Sequence, residues 1–315
     1  MNFFKNLSKK QKIILLVAVG LLLVFSFVKT YFPSVGLSSW RSNINAVFNG
    51  KPNEAQDKEL SVYYVDVGQG DCTFIKTPKG NFLIDTGTSA MAQCTAEYIL
   101  SQNVDTVEYL VITHPHEDHF GGASRILDFI DVKNIIMPDI PEEYLPEDDG
   151  FDYLLKRIKD GNIPVYAARA GDKYQLGDAV FTILSPIKNN SDINEMSVVI
   201  RLDFGETSFL FMGDAEKSAE KVMIRKNADL KCDVLKVGHH GSSKGTTDEF
   251  LEKTEPLVAV ISCGMNNDYG HPAEDLTRRL KNHSVSFVRT DMNGNVIIGS
   301  DGKRLYCWYE KGEKY

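Results

Sequence analysis

The chain has 315 residues, 43% hydrophobic and 25% charged, an ordinary globular composition whose length fits one large domain or two small ones. Its net charge is −8, but the first thirty residues hold five lysines and no acid, so the remaining chain carries thirty basic and forty-three acidic groups, net −13. That balance excludes a basic nucleic-acid-binding domain and gives the domain a field that repels polyanions, leaving room only for local patches.

Residues 1–12 carry Lys5, Lys9, Lys10 and Lys12 without an acid, and a 16-residue apolar run, Ile13 to Val28, follows. With Lys29 snorkelling and Tyr31 and Phe32 at the interface, residues 13–32 reach the roughly 20 needed for one membrane-spanning helix. A cleaved secretory signal shares this layout, but no small-x-small cleavage site follows the run, so an uncleaved anchor is expected. The lysines orient the N-terminus inward, which places the rest of the chain outside the cell, attached by a single pass. Residues 33–58 lack strong periodicity and read as a linker, and 59–315 as the functional domain.

From Leu60 short β-rich runs, "LSVYYVDV", "DCTFIKT" and "NFLIDTG", alternate with Gly-Gln-Gly and Pro-Lys-Gly turns, as in a meander. "MAQCTAEYILSQN" has helical spacing, "VEYLVIT" reads as a buried strand, and "GGASRILDFI" and "DYLLKRIKDG" read as helices. A second half repeats the grammar, from "AVFTILSP", "SVVIRLDFG" and "TSFLFMGD" through alternating helices and strands to "KRLYCWYE". Two halves, each a sheet with helices, predict two packed sheets with helices outside, an α/β sandwich. The five cysteines form no CxxC pair, and most lie in apolar stretches as buried thiols would.

The polar residues gather at strand ends. Asp85, the stretch His114 to His119, Asp214 and the pair His239–His240 each follow an apolar strand. Loops at one edge of layered α/β sheets meet in a crevice where ligands bind. "HPHEDH", residues 114–119, places three of the seven histidines and two acids in six positions. Imidazole and carboxylate suit Zn²⁺, Mn²⁺ or Fe²⁺, and residues so close can divide between two ions about 3.5–4 Å apart. A histidine-rich surface loop explains the first cluster alone, not the acids and histidines at later strand ends.

"HPHEDH" fits the HxHxDH pattern of the metallo-β-lactamase superfamily, and "FLIDTG", "FMGD" and "VGHHGS" match its other segments in order. More narrowly, "VDVGQGD", "NEMSVVIRLDFGETSFLFMGDAEKSAE", "VLKVGHHGSS" and "SCGMNNDYGHP" resemble the metallo-β-lactamase-like domain of ComEC-type DNA-uptake proteins. The resemblance implies an αββα sandwich binding two divalent ions, Zn²⁺ or Mn²⁺. It implies that His114 and His116 bind the first ion, Asp118 and His119 the second, and that Asp214 bridges. His240 is favoured to complete the second site, with His239 as the alternative that otherwise lines the pocket. The superfamily's usual third histidine for the first metal is replaced here by Asn194, whose amide is a weaker ligand. A labile first ion, or Mn²⁺ rather than Zn²⁺, would follow.

By the same resemblance, Asp85 orients a ligand loop without binding metal. Gly68 and Gly70 bring backbone close to the cleft, where Asp66, Gln69 and Asp71 either contact ligand loops or serve ordinary turns. His271 is expected to contact phosphate or donate a proton, and Asp118 to orient the nucleophile. Ser242, Ser243, Asn266 and Asn267 could bond an anionic oxygen. The expected activity is hydrolysis of a phosphoester outside the cell, by a phosphodiesterase or nuclease acting on single-stranded DNA, with a competence channel as a candidate partner. The rivals are phosphorylcholine removal from teichoic acids, with Tyr63, Tyr64 and Tyr269 as aromatic walls, a lactonase or β-lactamase, and a catalytically weak accessory protein of DNA uptake.

Overall fold

In the strand Leu60–Tyr64 every side chain is buried, because both faces of its sheet are covered. Leu60, Val62 and Tyr64 point one way, toward Phe181, Ile200, Phe209 and Phe211 of a second sheet. Tyr63 points the other way and joins Phe74, Ile99, Ile126 and Leu154 beneath helices. This period-two division repeats along the sheets and builds a layered α/β structure.

The computed structural model describes residues 47–48, 55–56, 58–186 and 192–311. The basic N-terminus 1–12 and the anchor expected over 13–32 lie outside the described residues. Among the described residues no helix is long and apolar enough to cross a membrane.

The first sheet has nine strands, in the order Val47–Phe48, Leu305–Tyr309, Val296–Ser300, Leu60–Tyr64, Thr73–Thr77, Gly80–Ile84, Tyr109–Val111, Ile135–Met137 and Val165–Ala167. The second has seven, in the order Lys173–Leu176, Ala179–Ser185, Val199–Phe204, Thr207–Phe211, Val234–Lys236, Val258–Ile261 and Ser286–Arg289. The seam between them is marked by Phe82 stacked on Phe181, with ring centroids 4.1 Å apart. Helices Ala92–Ser101, Ala123–Phe129 and Asp149–Asp160 cover the first sheet. Lys217–Arg225, Asp248–Thr254 and Glu274–Asn282 cover the second, burying Met223, Phe250, Leu276 and Leu280.

Each sheet has a run of parallel strands beyond its antiparallel hairpins, and the site lies along those runs. Gly80–Ile84, Tyr109–Val111 and Ile135–Met137 are mutually parallel, as are Thr207–Phe211, Val234–Lys236, Val258–Ile261 and Ser286–Arg289. Their carboxyl ends therefore emerge at a common edge within each sheet. The Val198 N–H donates to the Thr113 carbonyl at 2.9 Å, tying the two sheets together there.

The linker read over 33–58 needs correction at its end. Val47–Phe48 pairs parallel with Leu305–Tyr309, and Ser61 Oγ donates to the Ala55 carbonyl at 2.8 Å. Polar, aperiodic sequence hid an edge strand whose partner is some 260 residues away. Tyr63 and Tyr64 are buried, Tyr63 stacked on Phe74 at 4.1 Å, and form no wall of a ligand pocket. Cys72, Cys232, Cys263 and Cys307 are buried and Cys94 is exposed.

Candidate metal centre

Strand register delivers the polar side chains. Ile84 pairs with Val111, so the next residue, Asp85, meets the start of the histidine loop. Its carboxylate accepts from the Thr113 N–H and hydroxyl, each at 2.7 Å, and lies 2.8 Å from His119 Nδ1. The turn at Gly70 fits against the same loop. A Cβ on Gly70, at φ +144°, would sit 2.5 Å from the Asp118 carbonyl, and the Asp71 N–H donates to that carbonyl at 3.1 Å. A side chain at 70 would displace the loop. Gly68, by contrast, has open space around it, and Asp66 accepts from the Gly68 N–H in an ordinary turn.

His239 and His240 open the turn that follows the strand Val234–Lys236, in consecutive left-handed conformations, φ 47° and 51°, and Asp85 is left-handed at φ 56°. Non-glycine residues adopt this region at a cost, and the strain here aims ring nitrogens at one point. That point is Asp214. Its Oδ1 faces His119 Nε2 at 3.3 Å and His240 Nε2 at 3.5 Å. Its Oδ2 faces His114 Nε2 at 3.7 Å and His239 Nε2 at 3.6 Å. His116 Nδ1 is 2.9 Å from His114 Nε2, and Asp118 Oδ2 is 3.1 Å from His240 Nε2. Two sets of donor atoms result, His114, His116 and Asp214 on one side, and Asp71, His119, Asp214 and His240 on the other. His239 and His240, expected as alternatives for one position, reach opposite oxygens of Asp214.

The set fits a pair of cations. The donors are imidazole and carboxylate, almost fully buried except His116, His239 and Asp118 at the cleft side. Among the described residues, Asp214 Oδ1 and Asp71 Oδ1 are buried with no hydrogen-bond partner. The outward nitrogens are held by neighbours: His119 Nδ1 by Asp85, His240 Nδ1 by the Ser262 carbonyl at 3.2 Å, and His239 Nδ1 by Glu216 at 2.5 Å. Such partners fix which nitrogen faces a metal.

The electrostatics match. Burial pushes the His119 and His240 imidazoles down, but carboxylates outweigh it and hold both well above the ordinary value, Asp214 and Asp85 for His119, Asp214 and Asp71 for His240. Burial and the His119 charge push His114 well below it. Burial pushes the Asp118 carboxyl up, but the bond from His240 and the His119 charge bring it down to about 2. Burial, with His240 and His239 nearby, lowers His271 to about 4. His271 is then neutral at physiological pH, a state in which it can still offer a hydrogen bond.

A cleft of about 470 Å³ opens over these groups, with Gln69, Thr88, Tyr269 and His271 around its mouth. His271 Nδ1 is buried without a hydrogen-bond partner among the described residues. Two expected ligand contacts need correction. Ser242 is buried and bonds Glu216 at 3.3 Å, so it braces the carboxylate behind His239. Asn267 donates to the Gly264 and His271 carbonyls and accepts from the Tyr269 and His271 N–H groups, so its amide is spent shaping the His271 loop. Asn194 sits on the turn Asn194–Met196, its Oδ1 buried without a hydrogen-bond partner among the described residues. The following Ser197 hydroxyl lies 3.4 Å from His114 Nδ1 and accepts from the Asp214 N–H.

Sequence reasoning missed two groups. Glu216 follows Asp214 by two residues, and only this spacing signalled it. Lys236 Nζ lies 2.8 Å from Asp71 Oδ2 in a buried ion pair, and Asp71 Oδ1 lies 3.5 Å from His240 Nδ1. Lys236 reads as an ordinary strand residue.

Two sheets whose loops surround a shared carboxylate with imidazoles define a metal-dependent hydrolase fold. The chain belongs to the metallo-β-lactamase superfamily, which its residues 65–265 match. It is similar to ComE operon protein 3 of Bacillus subtilis (strain 168), 31% identical over 257 residues, covering 76% of this chain and 33% of that protein. Competence protein ComA of Neisseria gonorrhoeae is 29% identical over 269 residues, 84% of this chain and 36% of that one. Recombination protein 2 of Haemophilus influenzae is 32% identical over 247 residues, 76% and 29% respectively. The chain thus spans about a third of the length of these curated relatives. CmlA, a diiron β-hydroxylase from Streptomyces venezuelae, shares the fold with a TM-score of 0.54 at 17% identity, covering 77% of this chain and 54% of CmlA.

Proposed function

We propose that the domain is a phosphodiesterase using two divalent ions, Zn²⁺ or Mn²⁺, outside the cell and anchored by residues 13–32. The observation that carries it is the division of Asp214 between two donor sets, one per carboxylate oxygen. His114 and His116, with His239 on the same oxygen of Asp214, would hold one ion. Asp118, His119 and His240 would hold the other. Bound there, divalent cations supply Lewis acidity toward a phosphoryl oxygen and lower the pKa of water.

The chain's own groups do the rest. Asp85 and Glu216 hold His119 and His239 in the orientation that presents Nε2 inward. Asp118, 28% exposed and ionised, faces the cleft and can orient an entering water. His271 presents an unpartnered Nδ1, suited to hydrogen-bonding a phosphate oxygen or the leaving group. The competence and recombination proteins among the relatives fit a polymeric phosphodiester substrate, and a channel partner is part of the same proposal. The phosphorylcholine reading loses two of its three aromatic walls, since Tyr63 and Tyr64 are buried.

The test is turnover of bis-p-nitrophenyl phosphate by the purified chain with Mn²⁺ or Zn²⁺, beside phosphorylcholine esters and a cephalosporin. Diester turnover abolished by Asp214→Ala, with the fold intact, supports the reading. Turnover of another panel member instead, or full activity in Asp214→Ala, overturns it.

A further inference from the structure

Beside the catalytic cleft lies a second groove, about 720 Å³, that receives Lys217, Lys221, Lys244 and Arg279. Its wall toward the cleft is Glu216, the residue bonded to His239. The groove is built: the Lys217 N–H donates to the Lys244 carbonyl, and the Arg279 guanidinium donates to the Ser243, Gly245 and Thr246 carbonyls. Arg279 therefore lends charge while its donors hold the loop. The three lysines are exposed, and among the described residues none is in an ion pair. The acids nearby are largely engaged, Glu216 by His239 and Ser242 and Asp248 by His283. That leaves Glu249 as the groove's acid without such a partner among the described residues.

At the cleft mouth, Tyr269 is 71% exposed. One face of its ring stacks on His271, centroids 5.7 Å apart at 21°, which leaves the other face to solvent. Exposed aromatic rings and unpaired lysines together are the elements by which proteins hold single strands, base on ring and phosphates on cations.

We infer that a single strand of nucleic acid crosses the cleft, a base stacked on Tyr269 and the flanking phosphates over Lys217, Lys221 and Lys244. This rests on the phosphodiesterase reading and adds where the polymer lies. It also explains how a domain of net −13 could engage a polyanion: the attraction is confined to one groove beside the site.

The experiment measures binding of a fluorescein-labelled oligothymidylate to the full chain by anisotropy across a salt series, with turnover of bis-p-nitrophenyl phosphate in parallel. The triple change Lys217→Gln, Lys221→Gln and Lys244→Gln should flatten the slope of log affinity against log salt by about 2, or about 0.7 for each phosphate no longer neutralised. Turnover of the small ester, which does not reach the groove, should stay unchanged. Tyr269→Ala should weaken oligothymidylate binding about fivefold or more. An unchanged salt slope in the triple variant, or a parallel loss of small-ester turnover, overturns the assignment. So does equal binding of poly(glycerol phosphate), which has no bases, together with no effect of Tyr269→Ala. A wild-type chain that binds the oligonucleotide yet leaves bis-p-nitrophenyl phosphate intact would sink the phosphodiesterase reading and leave the groove standing.

Discussion

Replacing Lys236 by methionine keeps most of the side chain's length and deletes its charge. The ammonium lies 2.8 Å from Asp71 Oδ2, with the two side chains 3% and 6% exposed. Removing one partner of such a buried pair costs about 3–5 kcal/mol, because the other charge is left buried and uncompensated. His240 Nδ1, 3.5 Å from the other oxygen of Asp71, softens the loss, so the lower end, about 3 kcal/mol, is expected. Urea unfolding followed by the fluorescence of Trp308, which packs against the core under the first sheet, would read it. With a slope of about 3 kcal/mol/M, the midpoint should fall by about 1 M. Asp71→Asn combined with Lys236→Met should recover at least half of the loss, since the stranded carboxylate is gone. A Lys236→Met midpoint equal to wild type would refute the reasoning. So would a double variant as unstable as the sum of the singles.

Metal affinity should rise with pH. His119 and His240 are held protonated above their ordinary pKa, so a cation must displace a proton from each, and binding strengthens as pH climbs from about 6.5. Calorimetry of Mn²⁺ or Zn²⁺ binding in buffers of differing ionisation enthalpy counts those protons; pH-independent binding would count against both assignments. Asp85→Asn, which exchanges the acceptor behind His119 for an amide, should weaken metal binding about 10–100-fold with little change in secondary structure, measured by equilibrium dialysis. His239→Ala and His240→Ala should each lower the stoichiometry of tightly bound metal in the same assay, because the two rings serve opposite oxygens of Asp214. A thiol reagent should modify Cys94 at once in the folded chain and the four buried cysteines only after denaturation.

Much of this architecture was legible in the sequence because apolar runs end in chemistry. "FLI" runs into Asp85, "YLVIT" into His114, "FLFMG" into Asp214 and "LKVG" into His239, and parallel pairing carries those ends to one edge. What stayed hidden depends on distance in the chain. Lys236 and Asp71 are 165 residues apart, and neither residue type implies the other. Val165–Ala167 is an edge strand with all three residues exposed, so it shows no apolar pattern. Tyr63 and Tyr64 look amphipathic as neighbours but are both covered, since their sheet has a protein layer on each face. The lysine groove draws on positions 217, 221, 244 and 279, scattered in sequence and outweighed by acid in any whole-domain sum.

The back-to-back left-handed residues at 239 and 240 have one more consequence. Because the chain reverses there, adjacent side chains diverge, and a dipeptide supplies both halves of the centre from one turn. Losing a residue from this turn would withdraw an imidazole from both oxygens of Asp214 together, whereas substituting either ring alone would withdraw just one.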